Sequence, residues 1–298
     1  MINLLDALVC PTCGQKLFRE NSSLKCPYSH TFDVSKSGYV NLLPPGKEKN
    51  SRTGDEKIMV KARTDFLSKG LYDNLSLKIA EILADRFNDD IIAADLGSGD
   101  GYHTFNYTKE FAKNHSIMTL GFDASKYAAE HGMKLSRAAG YCPKTGVGGT
   151  APLPSQLYFF PANIFSLPIA DNSVNACVSM FAPVPWSEAA RILDKDDGVS
   201  ALIIASSGKN HLMEMRQLIY NEVRVSDFLP EPEGDFVLQS RENLTYKINL
   251  QSADDIRNLF MMTPFYYKTT GEGRDRLYSK DSLEVTVDVN YSVFALEK

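Results

Sequence analysis

The chain has 298 residues, 43% hydrophobic and 23% charged, with 19 Gly and 14 Pro, a composition that excludes a disordered, collagen-like or coiled-coil protein. No run of about 18 apolar residues occurs, and the first residues lack a basic stretch leading into an apolar one, so neither a membrane span nor a secretory leader is expected, and a soluble cytoplasmic protein is. The net charge of -5 is uneven: residues 1–70 hold 11 of the 32 basic and 7 of the 37 acidic side chains, a local +4, which leaves -9 for the remainder. A basic front on an acidic body suits a polyanion-binding surface, although solvated charges scattered by chance give the same count.

The first element read along the chain is a cysteine pattern. Cys10-Pro-Thr-Cys13 and Cys26-Pro-Tyr-Ser-His30 form C-x2-C-x12-C-x3-H. Two close pairs of soft ligands separated by a hairpin-sized gap meet the needs of tetrahedral zinc, and four protein ligands leave no open position, so the metal is expected to be structural. The alternative, a disulfide, fits poorly with five cysteines in a cytoplasmic chain. Lys16, Arg19, Lys25 and Lys36 interleave with Phe18, Tyr28, Phe32 and Tyr39, a mixture that can hold RNA by phosphate contact and base stacking. Phe32 is expected in the module's own small core instead. Residues 46–56, rich in charge with Gly46 and Gly54, read as a linker after a zinc-binding, RNA-recognition module spanning 1–45. The rest, 57–298, reads as a second domain.

That domain opens with helical spacing. Met59, Ala62 and Phe66 share one face, and Leu75, Ile79, Ile82 and Leu83 repeat behind a candidate cap at Asp73. A short apolar strand, Ile91–Ala94, then runs into Asp95-Leu-Gly97-Ser-Gly99-Asp-Gly101-Tyr102. Glycines at 97, 99 and 101 let a ligand approach the backbone. A dinucleotide fingerprint would need Gly or Ala where Tyr102 stands, and the Gly-Lys-Ser/Thr of a P-loop is absent. A second strand over 117–123 ends in Asp123, placed to accept hydrogen bonds from ribose hydroxyls, and a third over 157–160 leads to Asn163, whose amide could reach an adenine edge. Apolar runs at 174–181 and 201–205 read as a fourth and fifth strand, and Val285, Val287, Val289, Tyr291 and Val293 alternate as in a half-exposed antiparallel strand. Parallel strands separated by helices, closed by an antiparallel one, describe a doubly wound α/β sheet. The glycine turn, acidic strand end and later Asn in this order are the arrangement of an S-adenosylmethionine (SAM) site. The fold class expected is therefore a Rossmann-like class I SAM-dependent methyltransferase sheet with a small N-terminal zinc-binding module.

The two halves together resemble the RlmA family of 23S rRNA (guanine-N1)-methyltransferases over nearly the whole chain. The narrowest part is the zinc pattern followed by Phe32-Asp-Val-Ser-Lys-Ser-Gly38-Tyr-Val-Asn-Leu-Leu43. It continues in Arg63-Thr-Asp-Phe66, Gly70-Leu-Tyr72, the glycine turn with His103 and Thr104, His211-Leu-Met-Glu214 and Met262-Thr-Pro-Phe265. The resemblance implies zinc on Cys10, Cys13, Cys26 and His30. It implies SAM contacts at Tyr72, His103, Thr104 and His211, beside the Asp95, Gly97, Gly99, Asp123 and Asn163 read from the residues themselves. It also allows a homodimer with RNA in the cleft between subunits. Three departures stand out. Segment 140–156 is longer than the family pattern and reads as a flexible insertion with Cys142 exposed. Asp196-Asp197-Gly198 replaces Pro-Gly-Gly, and the run before His211 lacks prolines.

Guanine N1 carries a proton that must leave for the nitrogen to attack a methyl sulfonium, so a base or a donor that holds charge on O6 is expected. The candidates are His211, Glu214 and Glu222, the last two in an expected helix. The Watson–Crick face must be unpaired, which a hairpin loop provides. Phe181, after the fourth strand, is a candidate for stacking on the base, and Trp186 and Cys177 read as packing residues. The expected activity is methyl transfer from SAM to N1 of a guanine in a domain II hairpin of 23S rRNA, with no membrane partner. The alternatives are a SAM-dependent methyltransferase of another RNA or of a small molecule, with a purely structural zinc module, and a SAM-binding regulator without turnover.

Overall fold

The computed structural model describes residues 3–44, 57–149, 153–196, 198–225 and 229–297; the linker expected at 46–56 lies outside the described residues. The chain begins with a single helical turn, α1 (Leu4–Ala7), and a three-stranded antiparallel sheet, β1 (Phe18–Glu20), β2 (Ser23–Lys25) and β3 (Thr31–Asp33). Helices α2 (Lys57–Leu67) and α3 (Asp73–Arg86) lead into β4 (Ile91–Leu96), α4 (Tyr102–Phe111), β5 (Ile117–Asp123), α5 (Lys126–Ala138) and β6 (Gln156–Pro161). Then come β7 (Ala176–Met180), α6 (Trp186–Ile192), β8 (Ala201–Ser207), α7 (Met213–Ile219) and β9 (Phe236–Leu250). Three short helices, α8 (Ala253–Met261), α9 (Phe265–Lys268) and α10 (Gly271–Tyr278), precede β10 (Leu283–Leu296).

The large sheet has the order β6-β5-β4-β7-β8-β10-β9. The first five strands are parallel and β10 is antiparallel to both neighbours. Strand order reverses between β4 and β7, and in such sheets ligands bind at the carboxyl ends beside the reversal. Each central strand feeds two cores by alternation: Ala94, Leu96, Cys177, Leu202 and Ile204 point into one, and Ala93, Val178, Ile203 and Ala205 into the other. Cys177 is thus a fully buried packing residue.

Four expectations need correction. Tyr72, not Asp73, occupies the N-cap of α3, and no side chain caps it; the Asp73 carboxylate instead accepts from the Tyr102 hydroxyl and from Asn106. β10 is not half-exposed. Lying between β8 and β9, it is buried on both faces, and its polar face is covered because Asn243, Thr245 and Arg241 of β9 hydrogen-bond Asp288, Asn290 and Ser292. β9 itself has no counterpart in the sequence reading, since an edge strand reading Ser-Arg-Glu-Asn-Leu-Thr-Tyr-Lys carries no apolar alternation. Finally, the described part of the 140–156 insertion is docked. Cys142 and Val147 are buried, and Val147 N–H donates to Gly38 O (3.0 Å). Arg19 donates to Val147 O, and Arg137 donates to both Lys36 O and Lys144 O.

This clasp is one of several joints between the small sheet and the large one. Leu8 bridges to Ile169, flanked by Val9 N to Pro168 O (3.0 Å) and Ala170 N to Ala7 O (2.9 Å), and Leu42 N donates to Pro161 O (2.9 Å). Leu8, Leu24, Val40, Leu42 and Val147 belong to one buried cluster with Phe122, Phe160 and Ile169. A module too small to bury a core alone has borrowed that of its neighbour. Val147→Ala removes two buried methyl groups from the joint and should cost about 2 kcal/mol. Urea unfolding measures the loss, and limited proteolysis should show the N-terminal module cleaved first.

Candidate functional site

The metal-ligating residues meet on two knuckles. Gly14, at φ +70°, lets the chain fold so that Gly14 N–H reaches Cys10 O (2.8 Å), and Ser29, at φ +66°, does the same for Cys26 O (2.9 Å). The hairpin β1–β2 and strand β3 bring the knuckles together, so that the ligand atoms of Cys10, Cys13, Cys26 and His30 all lie within 4.8 Å of one another. Cys13 Sγ to Cys26 Sγ is 3.6 Å, Cys26 Sγ to His30 Nδ1 is 3.3 Å and Cys10 Sγ to His30 Nδ1 is 3.6 Å. Tetrahedral zinc with ordinary Zn–S and Zn–N bonds sets its ligands about 3.5–3.8 Å apart. The donor set therefore fits a closed zinc site holding the ion through His30 Nδ1.

The second site is a cavity of about 1450 Å³ at the carboxyl ends of β4 to β8. Its floor is the glycine turn. Gly97 (φ +90°) and Gly99 (φ +55°) take left-handed backbone, which strains any side chain placed there, and a Cβ on Gly97 would also sit 2.6 Å from Ala182 Cβ. Asp123 at the end of β5 braces the turn by accepting from Gly99 N–H (3.0 Å) through Oδ2 and from Ser125 N–H (2.7 Å) through Oδ1. Asn163 Oδ1 accepts from Phe165 N–H (3.1 Å). Asp95 is buried, and burial raises its carboxyl to about 6 against the hydrogen bonds from Thr104 (2.7 Å) and Tyr107 (3.1 Å).

Of the residues expected at the cofactor, Tyr72, Asp95, Gly97, Gly99, His103, Asp123, Asn163 and His211 all line this cavity. Thr104 does not: it is fully buried behind Asp95 and reaches the cavity only through that carboxylate. The two histidines are held neutral. Burial and the nearby Arg63 push His103 down to about 3, and burial pushes His211 down to about 4. His211 Nδ1 accepts from Asp288 N–H (3.2 Å), so the neutral ring carries its proton on Nε2 and has no lone pair left to act as a base. Glu214 is turned away, its carboxylate accepting from Thr286 N–H (2.8 Å) and Thr286 Oγ1 (2.7 Å) on β10. Glu222 lies exposed beyond the end of α7, outside the helix expected to carry it.

Phe181 follows β7 with φ +52°, a conformation that costs a bulky residue energy and concentrates at functional sites. Its N–H is held by Ala205 O (2.9 Å), and its ring lies 5.4 Å from that of His211 at the cavity wall while remaining 45% exposed. Trp186 packs edge-on against Phe236 and Phe294, away from this wall. The sequence reading missed Arg63, Ser98, Asp100 and Phe165, which also line the cavity. Ser98 and Asp100 sat unassigned inside the glycine turn; Phe165 carried no signal.

The cavity fits SAM on its own evidence. The Tyr72 hydroxyl and Ser98 Oγ are buried at its wall without a hydrogen-bond partner among the described residues, a costly arrangement unless a polar ligand meets them. The glycine cradle supplies the close backbone approach, and Asp123 and Asn163 stand at successive strand ends. Fold and site together define a class I SAM-dependent methyltransferase carrying a structural zinc site.

Comparison with known proteins narrows this class. Residues 8–52 match the family model described as RlmA, N-terminal, a zinc ribbon. The chain is 29% identical over 273 residues to a Micromonospora griseorubida protein provisionally named 23S rRNA (guanine-N(1)-)-methyltransferase, covering 82% of this chain and 84% of that one. It is 26% identical over 304 residues to the 23S rRNA (guanine(748)-N(1))-methyltransferase of Streptomyces fradiae, covering 98% and 97%. A solved Bacillus halodurans structure, provisionally named a methyltransferase, aligns at 14% identity over 74% of this chain and 97% of that one, with a TM-score of 0.44. Residues 8–52 thus match an RlmA zinc ribbon, and over most of its length the chain is similar to proteins named 23S rRNA (guanine-N1)-methyltransferases.

Because the metal joins two knuckles that have little core of their own, its removal should loosen the module. Titration with a mercurial reagent should release about one zinc per chain, and chelation should lower Tm. Cys26→Ser should abolish the released metal.

Proposed function

We propose that the protein transfers the methyl group of SAM to N1 of a guanine in a domain II hairpin of 23S rRNA. The observation that carries the reading is the rigid attachment of an RlmA zinc ribbon beside a SAM-type cavity whose rim bears exposed aromatic rings. Module 1–45 recognises the RNA and the domain 57–298 carries out the transfer. Supporting this division, Phe18 and Tyr28 are exposed on the ribbon, where bases could stack, whereas Phe32 packs against the core.

When bound, SAM supplies an electrophilic methyl on a sulfonium. Asp123 would accept from the ribose hydroxyls and Asn163 would meet the adenine edge. Tyr72, His103, Asp95 and the backbone of Gly97 and Gly99 would hold the amino-acid end, with Thr104 fixing the Asp95 carboxylate. His211 closes the far wall as a neutral donor. Phe181 presents its ring to the guanine face, and the aromatic, largely apolar rim excludes water around the attacking nitrogen. Methyl transfer needs alignment above all, and the fixed backbone at Gly97, Gly99 and Phe181 provides it. The protein works in the cytoplasm, and two chains gripping one hairpin belong to the same reading.

Primer extension across unmodified 23S rRNA tests it. A SAM-dependent stop beside one guanine of the hairpin is expected, because a methyl on N1 blocks pairing; no stop with folded RNA and bound SAM refutes the reading. His211→Gln tests the histidine separately. Glutamine keeps an N–H donor, so activity should stay within about tenfold of the native protein, whereas loss of a general base costs about 10²–10⁴ in rate.

A further inference from the structure

The segment that follows β6 belongs to both sites at once. Ala162, Asn163, Ile164 and Phe165 line the cavity. Three residues later Pro168, Ile169 and Ala170 pair with Ala7, Leu8 and Val9, immediately before the first zinc ligand. The other end of the ribbon returns to the same place: Leu42 N–H binds Pro161 O, and Leu43 reaches the cavity wall. The ribbon therefore grips the chain on both sides of Phe165. Within the segment, Asn163 folds a tight turn, accepting Phe165 N–H at Oδ1 and Ser166 N–H (3.0 Å) at its carbonyl. That turn throws the Phe165 ring outward, 57% exposed, at the seam between ribbon and cavity.

A single exposed aromatic ring is ordinary. Here, however, three such rings rim one cavity from three separate segments: Phe165 after β6, Phe181 after β7 and Tyr267 in α9, the last 65% exposed. Phe181 stands at the inner wall, in contact range of His211. Phe165 stands in the segment that the ribbon grips on both sides, where ribbon and cavity meet. Exposed flat rings at the rim of a cavity to which the ribbon is joined suit unpaired nucleobases, which every aromatic platform accepts regardless of sequence.

Building on the reading above, we infer that Phe165 is a stacking platform for an unpaired nucleobase next to the target guanine in the hairpin loop. It fixes the register of the RNA, and so decides which guanine enters the cavity. The ring selects by position instead of base identity, since stacking reads no hydrogen-bonding edge.

The test uses the full-length, zinc-loaded protein and a synthetic hairpin containing the guanine located by primer extension. Phe165→Ala should raise KM for the hairpin about tenfold, as expected from losing one base–aromatic stack, while SAM affinity stays within about twofold. Phe165→Tyr should restore KM, which separates stacking from a folding defect. Replacing loop nucleotides one at a time by abasic residues should then reveal one position, beside the target, whose loss weakens the native protein about tenfold and Phe165→Ala not at all. A methylation stop shifted to a neighbouring guanine in Phe165→Ala would support the register role directly. An unchanged KM overturns the inference, as does a fall in SAM affinity, which would assign the ring to the adenine, or equal abasic costs in both proteins. If the native protein leaves the hairpin unmethylated, the functional reading fails and this inference with it; if only the Phe165 variants are silent, the functional reading stands.

Discussion

Burial of Leu8, Leu24, Val40 and Leu42 in one core with Phe122, Phe160 and Ile169 is the constraint on which the geometry of this molecule rests. It turns a zinc ribbon and a seven-stranded sheet into one packed body. Close packing transmits position, so the ribbon surface and the cavity keep a fixed relation that a tether alone could not give. Arg19 and Arg137 tie the docked 141–149 segment over the joint, and the close approach of Gly38 and Gly146, where a Cβ on Gly146 would lie 2.6 Å from Gly38 Cα, leaves no room for a larger residue. Zinc holds the two knuckles; the shared core holds the ribbon.

The cavity's electrostatics follow from the same burial. Desolvation keeps His103 and His211 neutral and raises Asp95 toward 6, so the fixed charges lining the cavity are carboxylates and the guanidiniums of Arg63 and Arg216. Hydrogen bonding then selects what each neutral group can do. A backbone N–H at Asp288 takes the Nδ1 lone pair of His211 and leaves only a donor. Asp288 also accepts from Asn210 N–H (2.9 Å) and from Asn243 (2.7 Å), so the polar face of β10 positions the loop that carries the histidine. That polar face explains why β10 is buried on both sides without being apolar on both.

Much of the chemistry was legible beforehand because it depends on local spacing. Zinc ligands three and four positions apart must share a knuckle, and an acidic strand end followed by glycines must form a ligand-facing turn. The five parallel strands were visible as short apolar runs, since strands buried on both faces leave no polar alternation. Other features depend on partners distant in sequence. Strand β9 is polar because it lies at an edge, the insertion docks because Val147 finds Gly38, and Glu214 is diverted by a strand more than 70 residues away.

By itself the sequence determined the ligand set of the ribbon, the glycine turn, the order of strand-end residues at the cavity and the family to compare. Those are properties of residue type and spacing along the chain. Only the tertiary structure decided which ring nitrogen of His211 holds a proton, that Thr104 serves Asp95 from behind the wall, and that Phe165 stands between ribbon and cavity. Each of these depends on which distant backbone or side chain fills the space beside the residue, and that is set by packing, not by neighbours in sequence.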